Sequence, residues 1–287
     1  MYNTISGLLS EASGKSLPDV IMENEIALTG ATRDEITNGI KNTLSVMKQS
    51  AEKALTEPLS MAGNLIKGQA FAQYKYAQGS GLCGKEDNLM LASAFSCSEV
   101  NASMGRICAA PTAGACGILP SVLFSVKRRL NLSEDALISA LLVASGFGAI
   151  ITKNATVSGA EGGCQAECGT AAAMASAAAV YLAGGTNEMC AEAVGIVLIN
   201  CMGLICDPVA GLVQLPCSFR NASQSMNAIS SADMALAGQK SVIPTDEVIT
   251  AMYRVGKSLP SDLRETANGG IAATPTAKAI ASQLQKG

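Results

Sequence analysis

Residues 169–185 read GTAAAMASAAAVYLAGG. Alanine is the strongest helix former and recurs through this stretch, while Gly184-Gly185 supplies a stop. The stretch predicts a helix with small side chains on every face. Such a helix lets neighbouring backbones come close, so it predicts helices packed on helices. The flanking sequence repeats the theme. Residues 187–205, NEMCAEAVGIVLINCMGLI, predict a second apolar helix ending before Pro208. Ser133 is a natural N-cap for a helix over 134–151. Further upstream, TRDEITNGIKNTLSVMKQSAEKAL (32–55) opens with Thr32 and carries Glu35 three residues on, a capping box. Ile36, Ile40, Leu44 and Met47 then recur at helical spacing. PTDEVITAMYRVGKSL (244–259) and TPTAKAIASQLQ (274–285) predict two shorter helices. Alternating strand patterns are scarce. The expected fold is all-α, a single helical domain over 1–287 with Gly/Pro/Thr-rich loops. Lys67–Asp87 is read as a loop-rich stretch where the helical N-terminal region meets the rest.

Composition narrows the function classes. The chain has 287 residues, long enough to bury a large core, and a net charge of −3. That charge, with no basic run interleaved with aromatics, argues against nucleic acid or anionic lipid as a partner. Aromatics are 3% and Trp is absent. The N-terminal MYNTISGLLSEASGKSLPDV lacks the basic region and apolar core of a signal peptide. The apolar stretches Ala136–Thr152 and Ala193–Cys206 fall short of the roughly 20 apolar residues that span a bilayer, and both are read as buried helices. The expected compartment is the cytoplasm, where thiols stay reduced. There is no histidine. A Ser-His-Asp triad, an HExxH zinc site and histidine acid–base chemistry are therefore excluded for this chain alone.

Three loops concentrate unusual residues: SCSEVNASMGRICAAPTAGACG (96–117), KNATVSGAEGGCQAECG (153–169) and CDPVAGLVQLPC (206–217). Each sets cysteine beside Gly, Pro or Ser at a helix boundary, where unpaired backbone N–H groups can meet a ligand. Helix capping around buried thiols is the plainer reading of any one loop. Cys164 and Cys168 form a C-x3-C, but position 171 is alanine, and no C-x2-C occurs among the ten cysteines. Zinc knuckles and ferredoxin runs are absent, so any metal centre must draw on distant loops. From residue types alone, Cys206 and Cys217 remain open as a disulfide, metal ligands or buried thiols.

SGKSLPDVIMENE, SEVNASMGRICAAPTAG, NATVSGAEGGCQAE, CDPVAGLVQLPC, RNASQSMNAISSADMALAG and LRETANGGIAATPTAKAI are long and idiosyncratic motifs. Through them the chain resembles, almost end to end, the α subunit of bacterial iron–sulfur-dependent L-serine dehydratases. The resemblance implies a [4Fe–4S] cluster on three cysteines separated by 42 and then 11 positions. Cys164, Cys206 and Cys217 reproduce those separations. It also implies a lyase converting L-serine to pyruvate and ammonia, in amino-acid catabolism that feeds gluconeogenesis. One iron would stay open to act as Lewis acid on the β-hydroxyl. The Ser-x-Lys-x-Arg signature of pyridoxal serine dehydratases is missing. A desulfidase or dehydratase for another β-substituted amino acid, or a non-catalytic subunit, are the alternatives.

Candidate anchors for the substrate are Asn101, Thr112, Ala113 and Gly114 in the first loop and Asn154 and Ser158 in the second. Local capping is the competing role for each. Lys153, Glu161 and Glu167 are the candidate bases. Cys168 reads as a bystander one turn beyond Cys164. Cys97, Cys108, Cys116, Cys190 and Cys201 read as core thiols, and Cys83 occupies a loop that departs from the usual family pattern. The resemblance implies a separate β chain, with homo- or hetero-oligomers as further options. Some fused relatives end in a cysteine that caps the open iron. This sequence ends SQLQKG, which implies a centre without that cap.

Overall fold

The computed structural model describes residues 1–79 and 81–285. Lys286 and Gly287, the end of the SQLQKG stretch, lie outside the described residues, as does Ser80 in the loop before Cys83. The described chain forms α1 (Ile5–Glu11), α2 (Leu17–Thr29), α3 (Arg33–Lys53), α4 (Gln69–Tyr76), α5 (Gly84–Ala102), α6 (Ile118–Leu130), α7 (Glu134–Asn154), α8 (Gly159–Gly162), α9 (Cys164–Leu182), α10 (Asn187–Cys201), α11 (Cys217–Leu236), α12 (Thr245–Ser258) and α13 (Pro275–Leu284). Short 3-10 turns fill some connections. Among the described residues there is no strand, and the one β-bridge pairs Cys206 with Arg264. The all-α reading holds.

The caps form where the sequence places them. Thr32 and Glu35 bond each other's backbone in a reciprocal capping box, and the Ser133 hydroxyl accepts from Ala136 N–H. Helix α9 is the centre of the fold. Nearly its whole length is buried, packed against α6, α7, α10 and α11. Its small residues explain the closeness. A Cβ at Gly169 would stand 2.6 Å from Cys201 Sγ on α10, and a Cβ at Gly148 on α7 would stand 2.7 Å from Met174 Sδ on α9. Helix α7 is long and apolar enough to cross a membrane by length and composition, but 61% of its most apolar window is buried inside the fold.

A second layer forms where α5 packs against α3, α4 and α11. Its tie is Glu99, which is fully buried. Its carboxylate accepts from the backbone N–H groups of Leu59 (3.3 Å), Gly68 (3.1 Å) and Ala70 (2.8 Å). A buried carboxylate is tolerated only with such partners, so this one side chain fastens the 59–70 connection to α5.

Three boundaries differ from expectation. Lys67–Asp87 is not simply loop, because it holds α4 and the first turn of α5. The stretch Ala193–Cys206 is helical only to Cys201. Gly203 takes φ +89° and donates its N–H to Gln165 Oε1 at 2.7 Å, which turns the chain out of the helix before Pro208 is reached. Helix α9 starts at Cys164, five residues before the alanine-rich run.

Candidate functional site

The three loops converge at the starts of α9 and α11. Cys164 is the first residue of α9 and Cys217 the first of α11, while Cys206 lies in the connection between α10 and α11. Local contacts deliver Cys206 to Cys164. Gly163 precedes α9 at φ +74°, and a Cβ there would stand 2.7 Å from Leu204 O. Glycine thus allows the two loops to touch. Gln165 N–H then donates to Leu204 O at 2.9 Å. On the other side Cys206 N–H donates to Leu263 O at 2.8 Å, and Glu265 N–H donates to Cys206 O at 2.7 Å. Glu265 and Ala267 hold positive φ, 66° and 57°, so this turn is strained beside the cysteine. As a result the sulfurs of Cys164 and Cys206 and a Glu167 carboxylate oxygen all lie within 4.8 Å of one another.

The electrostatics centre on Cys164. Hydrogen bonds from the Cys168 and Cys206 thiols hold its own thiol well below the usual range, and the nearby Arg220 cation adds to the effect. Cys168 and Cys206 are pushed up as the donors to Cys164, and by burial. Cys168 is buried one helical turn beyond Cys164. Cys217 stands outside the 4.8 Å group. Its thiol is pushed up to about 12, first by burial and then by negative charge on Cys164 and Glu167. Burial also lifts the Glu167 carboxyl to about 7, against the lowering effect of a hydrogen bond from Thr112.

The 112–117 loop lies over this group. The Thr112 hydroxyl donates to Glu167 Oε1, and a Cβ at Gly114 would stand 2.6 Å from that oxygen. Only glycine lets the loop and the carboxylate meet so closely. Asn101 donates to Ala113 O at 3.3 Å, but it sits on the last turn of α5 rather than in the loop. Asn101 and Ala113 line a cleft of about 450 Å³ together with Met61, Leu212 and Gln214.

Other candidates lie elsewhere. The side chains of Lys153 and Asn154 bond Asn3, tying the end of α7 to the N-terminal segment, the second at 2.7 Å to the Asn3 carbonyl. Glu161 is exposed and pairs with Lys257 at 3.7 Å. Ser158 precedes α8 and takes a backbone bond to Thr156 Oγ1 at 3.1 Å. Cys97, Cys116, Cys190 and Cys201 are buried as expected, Cys108 is only half-buried and Cys83 is exposed.

Two residues at the centre were not singled out from sequence. Asn221, one turn after Cys217, donates to Gly114 O (2.6 Å) and Cys217 O (2.8 Å) and accepts from Gly117 N–H (2.8 Å). Arg220 donates to Cys164 Sγ at 3.4 Å, to Ile205 O at 2.7 Å and to Asp207 Oδ1 at 2.7 Å. Both open the motif RNASQSMNAISSADMALAG, at i+3 and i+4 from Cys217.

The donor set suits a thiophilic metal centre, because thiolates select such metals over hard cations. The space is shaped to match. A Cβ at Gly159 would stand 3.0 Å from Cys206 Sγ and 3.4 Å from carboxylate oxygens of both Glu167 and Glu265, so glycine keeps that face open. Ser218, next to Cys217, buries its hydroxyl without a hydrogen-bond partner among the described residues.

Residues 12–272 match the family model described as "Serine dehydratase alpha chain". The chain is 45% identical over 289 residues to the L-serine dehydratase, alpha chain, of Peptoniphilus asaccharolyticus, covering 100% of this chain and 99% of that one. It is 44% identical over 287 residues to the probable L-serine dehydratase, alpha chain, of Bacillus subtilis, covering 99% and 95%. Against L-serine dehydratase 2 of Escherichia coli the identity is 35% over 269 residues, covering 91% of this chain and 59% of that longer protein.

Proposed function

Because the chain belongs to the serine dehydratase alpha-chain family, we propose that it is a lyase converting L-serine to pyruvate and ammonia on a [4Fe–4S] cluster held by Cys164, Cys206 and Cys217. The observation that carries the reading is the meeting of Cys164, Cys206 and Glu167 within 4.8 Å beneath the Thr112–Gly114 loop. Thiolate donors and the open face at Gly159 fit the group. When bound, such a cluster supplies an open iron, a Lewis acid for a poor hydroxide leaving group.

The chain's own residues do the remaining work. Serine dehydration must take the α-proton, and Glu167 is the candidate base best placed for it. Its carboxylate faces the cysteine group, is fixed by the Thr112 hydroxyl and is largely shielded from water. Lys153 and Glu161 are engaged at the surface with Asn3 and Lys257. The Thr112–Gly114 loop offers backbone N–H groups to a substrate carboxylate, with Asn101 at its edge. Ser158 is the residue before Gly159, the glycine that lies against Cys206 Sγ. The aminoacrylate product tautomerises to an imine and hydrolyses in water. A separate β chain, suggested by the family's alpha-chain name, completes the enzyme, and ten unpaired thiols suit the cytoplasm.

The test is anaerobic reconstitution with iron and sulfide, followed by parallel assays of pyruvate from L-serine and sulfide from L-cysteine. Pyruvate from serine at the higher kcat/KM supports the reading. Preferential sulfide release would make the chain a desulfidase instead.

A further inference from the structure

Arg220 lies one turn after Cys217 on α11, and its guanidinium reaches the segments that carry Cys164 and Cys206. One nitrogen donates to Cys164 Sγ at 3.4 Å and to the carbonyl of Ile205, just before Cys206, at 2.7 Å. The other donates to Asp207, just after Cys206, at 2.7 Å. The head group is held in turn. The Asp207 side chain is only 1% exposed and that of Arg220 14%. The second Asp207 oxygen accepts from Ile271 N–H at 2.7 Å, and Gly270 leaves no room there for a Cβ. A planar fork fixed by a buried carboxylate has its donor directions set, and the cysteine sulfur lies along one of them.

We propose that Arg220 is a positioning residue for the cysteine centre, setting the Cys164 sulfur and the Cys206 segment in register and supplying the cation that offsets the thiolates' charge. This rests on the cluster reading above. Hydrogen bonds and charge next to ligand sulfurs control both retention and potential of iron–sulfur centres. A buried Arg220–Asp207 pair that merely braces the loop would need no donor on sulfur, and this separates the two roles.

The test uses the full chain reconstituted anaerobically with iron and sulfide, in the parent, Arg220→Gln, Arg220→Lys and Asp207→Asn. Iron release to a chelator and the cluster's reduction potential are the readouts. Arg220→Gln is expected to release iron about 10–100-fold faster, and its potential moves negative because a nearby cation is gone. Arg220→Lys restores the potential towards the parent. Asp207→Asn moves it the opposite way, since the cation is then less compensated. A bracing role would loosen iron in both Gln and Asn variants without opposite shifts in potential. Parent-like iron release and potential in Arg220→Gln overturn the proposal. Should that variant not fold, a negative shift in Asp207→Asn overturns it as well. A parent chain that takes up no iron and sulfide overturns the cluster reading and this inference together.

Discussion

Replacing Asn221 by alanine removes the one side chain that, among the described residues, bolts the 112–117 loop to α11. Asn221 is 1% exposed. Its amide donates to Gly114 O at 2.6 Å and accepts from Gly117 N–H at 2.8 Å, both in the buried interior. Its third bond, to Cys217 O at 2.8 Å, is to a carbonyl that α11 already satisfies, so it adds little to the loss. Two backbone groups are thus left without a partner. Each buried orphan costs about 1–3 kcal/mol, so Asn221→Ala is expected to cost about 2–6 kcal/mol. Native domains hold about 5–15 kcal/mol in total, which makes this a severe loss for a polar substitution. Urea unfolding of the metal-free chain measures it as a fall in midpoint at constant slope. Hydrogen exchange should localise the effect to the Gly117 amide. Because the loop also carries Thr112, the residual folded protein should lose activity. A cost below about 1 kcal/mol would refute the reasoning, since water or a shifted loop would then be satisfying both groups.

Gly169→Ala tests the close approach of α9 and α10. Alanine gains about 1 kcal/mol of helix propensity, but its Cβ would stand 2.6 Å from Cys201 Sγ. Overpacking of about 1–3 kcal/mol should win, and the sign should reverse in a Cys201→Ala background, read by thermal unfolding. Alkaline pH should also destabilise the chain. Burial pushes Cys97, Cys190 and Cys201 each up to about 12. The unfolded chain ionises them first, so their contribution is intact below about pH 9 and lost as pH climbs towards 12. Melting temperatures that stay flat over that range would contradict it. Glu167→Gln should lower kcat about 10²–10⁴-fold with iron content retained, whereas Lys153→Met and Glu161→Gln should stay near the parent. Equal losses in all three would remove Glu167 from its role.

What could be read from sequence was local. The Thr32–Glu35 box, the Ser133 cap and the Gly184 stop need only neighbours within a few residues, and each lies where expected. Helix α11 was less legible. Its sequence, CSFRNASQSMNAISSADMAL, dilutes the apolar stripe with serine and asparagine, because its buried face pairs polar groups, as in Ser121–Ser225 at 2.8 Å. The end of α10 was misplaced because Gln165, 38 residues away, caps Gly203. Within the site, motif resemblance picked out the cysteines. The side chains that brace the centre were hidden, since Arg220 and Asn221 act on partners far away in sequence. Lys153 and Asn154 fell inside a suggestive motif, yet they serve the N-terminal segment.

The most direct test of the central claim is pyruvate formation from L-serine by the anaerobically reconstituted enzyme, assembled with the proposed β chain, comparing the parent with Cys206→Ser. The account predicts equal amounts of pyruvate and ammonia from the parent, and loss of both product and bound iron in Cys206→Ser. An iron-loaded parent that yields no pyruvate, or a Cys206→Ser variant as active as the parent, would contradict it.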